Sequence, residues 1–360
     1  MDITDKILSY LEDEESRFIY QKRVEYSETG NMLCINEIVS RYVPKLNILH
    51  INKGDMEREI LKLLNDKKSI VVFGSGVNSK EILKLLLSHG RTIESIVDND
   101  QSKWGQKMEG IEIKCPQDIA YDNVDAVIIT PSQQTFVDQI HEQIKQIARK
   151  KELFFIDYNY YKPRILEHEQ YFDPGIIHFR ENEIFIDAGA LDLSTSIRFS
   201  EECRKNGVNH FKIHSFEPDD ISYKRCMEIQ KKIPDVDLQL HHAGLWSENT
   251  TLYFTECGTG GSRITQQKTS TSIDTVSLDN CILDEVTYIK LDIEGAELEA
   301  LKGAKKIIQK YKPRLAVCIY HKKEDLIEIP QYLKELVPEY KFYVRHYSNT
   351  TWETVLYAVR

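Results

Sequence analysis

The stretch IKLDIEGAELEALKGAKKIIQKYKPRLAVCIYHKKEDL, residues 289–326, sets the pattern for the chain. An apolar strand, TYIKLD (287–292), ends on the carboxylate of Asp292. Glu294 follows, Gly295 lets the backbone turn tightly, and AELEALKGA begins a helix. The next strand, RLAVCIY (314–320), ends at His321. Strand, helix and strand in this order make a parallel unit of an open α/β sheet. Neighbouring strand ends lie about 5 Å apart, so Asp292, Glu294 and His321 converge at the carboxyl edge, where such sheets bind ligands. The structural alternative is that Glu294 caps its helix and His321 a strand end.

Working outward, the upstream sequence offers strands EIFID (183–187), FKIHSF (211–216) and LQLHHA (238–243), separated by helix-sized gaps. Downstream, KFYVRHY (341–347) and TVLYAV (354–359) are separated only by SNTTWE, which predicts a hairpin with an antiparallel strand at the sheet edge. These seven strands make one α/β domain over residues 161–360.

A second, smaller α/β domain is expected over residues 65–160. In SIVVFGSGVNSKEILKLLLSHGRTIESIVDND (69–100) a buried strand runs into Gly74 and Gly76, an amphipathic helix ends at Gly90, and the following strand ends at Asp98. The loop can present backbone N–H groups to a phosphate, and Asp98 has the approximate spacing of a ribose-binding carboxylate. Serine stands at Ser79, where the dinucleotide fingerprint has its third glycine, and a tight strand-to-helix turn needs glycines even with nothing bound. Residues 1–64 are charged and amphipathic and read as an N-terminal helical segment, a cap or a dimer contact.

Composition bounds the function. The 360 residues are 41% hydrophobic and 29% charged, enough for folded cores. With 57 acidic against 47 basic residues the formal charge is −10, which opposes nucleic acid and anionic lipid as partners. The longest apolar runs are strand-length, so no membrane insertion is expected, and the acidic start MDITDKILSYLEDEE is unlike a secretory signal. Seven cysteines (34, 115, 203, 226, 257, 281, 318) are scattered without a CxxC, which fits reduced thiols and a cytoplasmic protein.

Over residues 180–360 the chain resembles the FkbM-type methyltransferase family, in the IKxDxEGAE-like run, the strand ending in YH, HAGLW (242–246), SIDTVSLD (272–279) and RHYSNTTWETVLYA (345–358). The resemblance implies a class I Rossmann-like sheet with a C-terminal antiparallel hairpin, and S-adenosylmethionine as cofactor. In FIDAGALDLSTS (185–196), Gly189 would let the backbone approach the cofactor's amino-acid end and Asp187 would bind its ammonium directly or through water, with Asp192 in the same loop. Glu217, at the tip of the second strand in HSFEPDD, would accept hydrogen bonds from ribose hydroxyls, and Ala243 at the end of the third strand would complete the cofactor set. Leu193 stands where many relatives have a glycine. The stretch VDNDQSKWGQ (97–106) resembles nucleotide-binding N-domains of bacterial sugar-modifying enzymes.

The resemblance implies O-methyl transfer to a small-molecule or glycan acceptor, with glycan, glycolipid or secondary metabolite as the substrate class. His321 is the preferred base, since an unperturbed imidazole titrates at about 6.5, with Asp292 orienting it. Alternatively Asp292, Glu294 and His321 hold a divalent metal. Two other functions stay open: a nucleotide- or nucleotide-sugar-binding sensor or scaffold, and a nicotinamide-dependent sugar-nucleotide enzyme, which lacks a YxxxK pair beside the first glycine loop. A homo-oligomer is also left open.

Overall fold

The computed structural model describes residues 2–43, 53–131, 134–148, 153–158, 165–166, 168–255, 263–264 and 272–360. The chain divides into a larger unit, residues 1–47 and 164–360, and a smaller one, residues 48–163. The larger unit opens with helices α1 (Ile3–Leu8), α2 (Glu14–Thr29) and α3 (Leu33–Tyr42). Asp13 starts α2 by accepting a hydrogen bond from the Ser16 N–H at 2.7 Å.

The smaller unit runs α4 (Lys53–Leu63), β1 (Ile70–Phe73), α5 (Val77–Ser88), β2 (Ile93–Val97), β3 (Lys107–Met108), β4 (Ile111–Lys114), β5 (Ala126–Ile129), α6 (Gln134–Ala148) and β6 (Phe154–Asp157). Its sheet has the order β3-β4-β2-β1-β5-β6. All pairings are parallel except β3 with β4. Alternation sorts the central strand between two cores: Ile70 and Val72 pack with Ile82 and Leu86 of α5, while Val71 and Phe73 pack with Val137 and Ile140 of α6.

The larger unit resumes with β7 (Asn182–Ala188), α7 (Ser194–Lys205), β8 (His210–Phe216), α8 (Asp220–Gln230), β9 (Leu238–His241), β10 (Gly244–Leu245), β11 (Thr250–Thr255), β12 (Arg263–Ile264) and β13 (Ser272–Val276). It ends with α9 (Leu278–Cys281), β14 (Tyr288–Leu291), α10 (Glu297–Gly303), α11 (Lys305–Tyr311), β15 (Arg314–Cys318), α12 (Asp325–Leu336), β16 (Lys341–His346) and β17 (Thr354–Val359). The main sheet has the order β16-β17-β15-β14-β7-β8-β9, with β17 antiparallel to both of its neighbours. The hairpin expected of SNTTWE is therefore present, and its second strand sits inside the sheet, where all six of its residues are buried. β14 and β15, buried throughout, form the centre. A second small sheet, β10-β13-β11-β12, was not anticipated from the sequence.

Residues 1–64 do not form one segment. The backbone N–H of Glu12 donates to the Phe342 carbonyl at 3.0 Å, the Val344 N–H donates to Ser16 Oγ at 2.9 Å, and Arg345 pairs with Asp13 at 2.6 Å. The N-terminal helices thus close the open edge of β16, which would otherwise present unpaired backbone groups. Beyond them, Ile60 and Leu64 join the core of the smaller unit. Cys257 lies outside the described residues, and the other six cysteines are free thiols. Among the described residues no helix is long and apolar enough to cross a membrane.

Candidate active site

The carboxyl edge of the main sheet gathers residues from β7, β8, β14 and β15. After β7 the chain turns at Gly189, where φ is +80° and a Cβ atom would meet the Asp292 carbonyl oxygen at 2.0 Å. Only glycine permits that approach. The N–H groups of Gly189 and Ala190 both donate to the Phe216 carbonyl at 3.1 Å, tying the loop to the end of β8. Leu191 and Leu193 follow in the left-handed region, at φ +49° and +59°. Leu193 thus adopts the conformation a glycine would take at no steric cost, while its side chain is fully buried. Asp192 Oδ1 accepts from the Ser194 N–H at 3.1 Å at the start of α7.

Glu217 lies just beyond β8. Its Oε2 accepts from the Leu191 N–H at 2.8 Å and its Oε1 from the Asp219 N–H at 2.9 Å. Burial raises its pKa against these two donors. Each carboxylate oxygen has two acceptor sites and uses one here, so both retain one for a ribose hydroxyl. These remaining acceptor sites fit the two ribose hydroxyls of S-adenosylmethionine as donors. Ala243, buried, follows β9 on the strand next to that of Glu217.

Asp187 is placed differently from expectation. It is fully buried beneath the loop, 3.1 Å from Lys290 Nζ, and accepts from Ser196 Oγ at 2.6 Å. It cannot meet a ligand ammonium directly. Its partner Lys290, 2% exposed at the centre of the sheet, donates to the carbonyls of Ala188 at 3.0 Å and Gly189 at 2.9 Å. Asp187 therefore balances the lysine that fixes the loop, a role the sequence reading missed. The signal was available, because a lysine inside the buried run YIKL requires a buried anion.

Asp292, Glu294 and His321 do converge. His321 Nε2 lies 3.5 Å from Asp292 Oδ1 and 3.6 Å from Glu294 Oε2, while Nδ1 lies 2.9 Å from Glu297 Oε1. Glu297, fully buried, also accepts from the Ile293 N–H at 2.9 Å. Asp292 is about a quarter exposed, and its two oxygens accept from Tyr171 at 2.7 Å and Tyr320 at 3.2 Å. Burial opposes its ionisation, but Lys290, His321 and the tyrosine hydroxyl together hold its pKa below the usual range. For His321 burial also disfavours charge, yet Glu297, Asp292 and Glu294 push the pKa up to about 9. This corrects the expectation of an imidazole titrating near 6.5. The ring is 8% exposed and enclosed by carboxylates, so Asp292, at 24%, is the more accessible of the two.

Two further acids surround the cluster: burial raises Asp325 and Glu353 each to about 7. Among the described residues, five of the seven non-glycine residues with positive φ, Tyr171, Leu191, Leu193, Glu294 and Glu353, belong to the segments that build this edge. Left-handed backbone costs on the order of 1–3 kcal/mol per residue and concentrates at functional sites. Tyr171, Glu297 and Glu353 escaped the sequence reading. Tyr171 comes from the loop before β7, with no local motif to mark it, whereas Glu297 stands in plain view three residues after Glu294.

In the smaller unit, Gly74, Gly76 and Asp98 line one cavity of about 760 Å³. It opens between β1 and β5, where the strand order reverses. Asp98 accepts from the Ser75 hydroxyl, the Asp100 N–H at 2.9 Å and Lys103 Nζ at 3.2 Å. Although burial opposes ionisation, these donors lower its pKa.

The strand order of the main sheet, with its antiparallel β17 inserted beside β15, is that of the class I Rossmann-like methyltransferase fold. Residues 187–340 match the model of the Methyltransferase FkbM domain. Over this region the chain is similar to FkbM methyltransferases. Residues 66–153 match a C2185-like N-terminal domain. Among solved structures, a methyltransferase FkbM from Methylobacillus flagellatus KT is similar at 18% identity and a TM-score of 0.47, covering 91% of this chain and 98% of its own. A putative methyltransferase from Streptococcus mutans, solved with SAH, is similar at 14% identity and a TM-score of 0.33, over 54% of this chain and 96% of its own. No curated protein matches the chain.

Proposed function

We propose that the larger unit methylates a hydroxyl oxygen of a glycan, glycolipid or secondary metabolite. The observation that carries this reading is the partly exposed Asp292 at the end of β14, the strand paired with β7 and its Gly189 loop. When bound, S-adenosylmethionine supplies a methyl group activated by a positively charged sulfur. Gly189, Asp192, Glu217 and Ala243 border the cofactor, with Glu217 receiving the ribose hydroxyls and Lys290 holding the loop from below. Asp292 accepts the hydrogen bond, and then the proton, of the acceptor hydroxyl, while His321 and Glu297 stand behind it as positioning residues. Orientation does most of the work, because the reaction needs only an aligned oxygen and the removal of one proton. Asp292, Glu294 and Tyr320 form a polar rim suited to an acceptor rich in hydroxyls.

Incubation with methyl-labelled S-adenosylmethionine and a panel of hydroxyl-rich acceptors tests the reading, with the product bond assigned by NMR. A methyl ether is expected. Transfer confined to nitrogen or carbon acceptors would refute it.

A second reading concerns the smaller unit, whose cavity supports binding of a nucleotide or nucleotide-sugar. The N-terminus of α5, without an acidic residue in its first turn, suits phosphate, and Asp98 suits ribose. Calorimetry with NAD and nucleotide-sugars tests it; absence of saturable heat with all of them would end it. The free thiols support a reducing, cytoplasmic setting.

A further inference from the structure

From the geometry behind Asp292 we infer a divalent-cation site formed by His321, Asp292 and Glu297, with Glu294 as a fourth donor on the exposed side. The inference rests on the reading of this edge as the acceptor site. Asp292, Glu297 and His321 each bring a ligand atom within 4.8 Å of the other two. Such proximity alone is common among acidic groups. What distinguishes this cluster is a concentration of buried polar atoms: both ring nitrogens of His321, in a side chain 8% exposed, and Glu297 Oε2, in a side chain fully buried, make no hydrogen bond among the described residues. A buried polar atom without a partner is costly, and such atoms are rare unless an ion or water completes them.

The surroundings favour an ion over water. Nε2 lies 3.5 Å from Asp292 Oδ1 and 3.6 Å from Glu294 Oε2, and Nδ1 lies 2.9 Å from Glu297 Oε1, so three carboxylates crowd one imidazole, an arrangement in which a cation meets more acceptors than a single water can serve as donor. Two ligands of one ion with bonds of about 2.1 Å lie roughly 3–3.5 Å apart, close to these separations. Three carboxylates and one imidazole form an oxygen-rich donor set, which suits Mn²⁺ or Mg²⁺. The remaining coordination positions face the open side, where the acceptor hydroxyl enters. Methyl transfer then proceeds as already described: the S–CH₃ bond breaks, the O–CH₃ bond forms, and the hydroxyl proton passes to the Asp292 carboxylate.

The test uses the full-length chain, freed of metal with chelator, and Mn²⁺ as the probe. Calorimetry and the loss of the free-Mn²⁺ electron paramagnetic resonance signal should report one saturable site per chain. Asp292→Asn and His321→Gln should each weaken it at least ten-fold, and Glu294→Gln, on the exposed side, should weaken it less while keeping the fold. S-adenosylmethionine affinity, measured separately, should persist in the metal-free chain. No saturable Mn²⁺ binding, or binding unchanged by Asp292→Asn and Glu294→Gln, overturns the site. If S-adenosylmethionine binds while Mn²⁺ does not, only this inference fails and the methyl-transfer reading stands.

Discussion

Replacing Lys290 by Met removes the cation at the centre of the main sheet and leaves Asp187 fully buried with only the Ser196 hydroxyl for company. Methionine has nearly the same length, so the loss is electrostatic rather than steric. Removing one partner of a buried ion pair costs about 3–5 kcal/mol, because the remaining charge has no counterpart. Asp187→Asn should cost about as much for the converse reason. The double variant removes both charges, and the Ala188 carbonyl keeps its bond from the Asp292 N–H at 3.3 Å. It should therefore lie within about 2 kcal/mol of the native protein, a coupling of roughly 4 kcal/mol or more. Urea unfolding monitored by near-ultraviolet circular dichroism measures all four proteins, with the transition of the smaller unit as an internal reference. The double variant also separates fold from site. Its Gly189 carbonyl no longer receives the lysine, so S-adenosylmethionine affinity should stay depressed after stability has recovered. A Lys290→Met cost below about 1 kcal/mol, or a double variant as unstable as the sum of the singles, would refute the reasoning.

Gly189→Ala places a methyl group 2.0 Å from the Asp292 carbonyl oxygen at a positive φ, so S-adenosylmethionine binding measured by calorimetry should be lost even where the protein remains folded. His346, buried and close to Arg23, has its pKa lowered to about 3, chiefly by desolvation. A lowered pKa gives stability that is present above the unfolded value near 6.5 and is lost as pH falls toward 3. Between pH 7.5 and pH 5 this one group should therefore remove about 2 kcal/mol, and His346→Gln should shrink that pH dependence by a similar amount in urea unfolding. Deleting residues 1–47 uncovers the Phe342 carbonyl and the Val344 N–H on β16. The shortened chain should melt lower and self-associate in light scattering through the open strand edge; a monomer of native stability would show that the helices are not needed there.

What could be read from the sequence was what the local pattern encodes. Strand-length apolar runs, the glycine turns at Gly74 and Gly189, and carboxylates at strand ends placed both sheets and most of the candidate residues, because in a parallel sheet position along the strand fixes position at the edge. Long-range electrostatics was less accessible. Asp187 has the position of a ligand-binding residue, but its burial against Lys290, from a strand far later in the chain, sets a different role. The histidine at the end of β15 was visible, whereas its protonation depends on Glu297 and Asp292 brought close by the turn at Gly295. Tyr171 reaches Asp292 from a loop with no periodicity, and the cover that α1–α3 give to β16 depends on side chains such as Ser16, whose part cannot be read from a helical pattern alone.

The central claim is that the edge formed by the Gly189 loop and Glu217 binds S-adenosylmethionine. Titrating the full-length chain with S-adenosylmethionine by isothermal calorimetry, alongside Glu217→Ala, tests it most directly. Charge-assisted hydrogen bonds to a carboxylate contribute about 1.5–3 kcal/mol, so the native chain should show one saturable site and the folded variant a ten-fold to hundred-fold weaker one. No saturable binding to the native chain, or the same affinity in folded Glu217→Ala, would contradict the account.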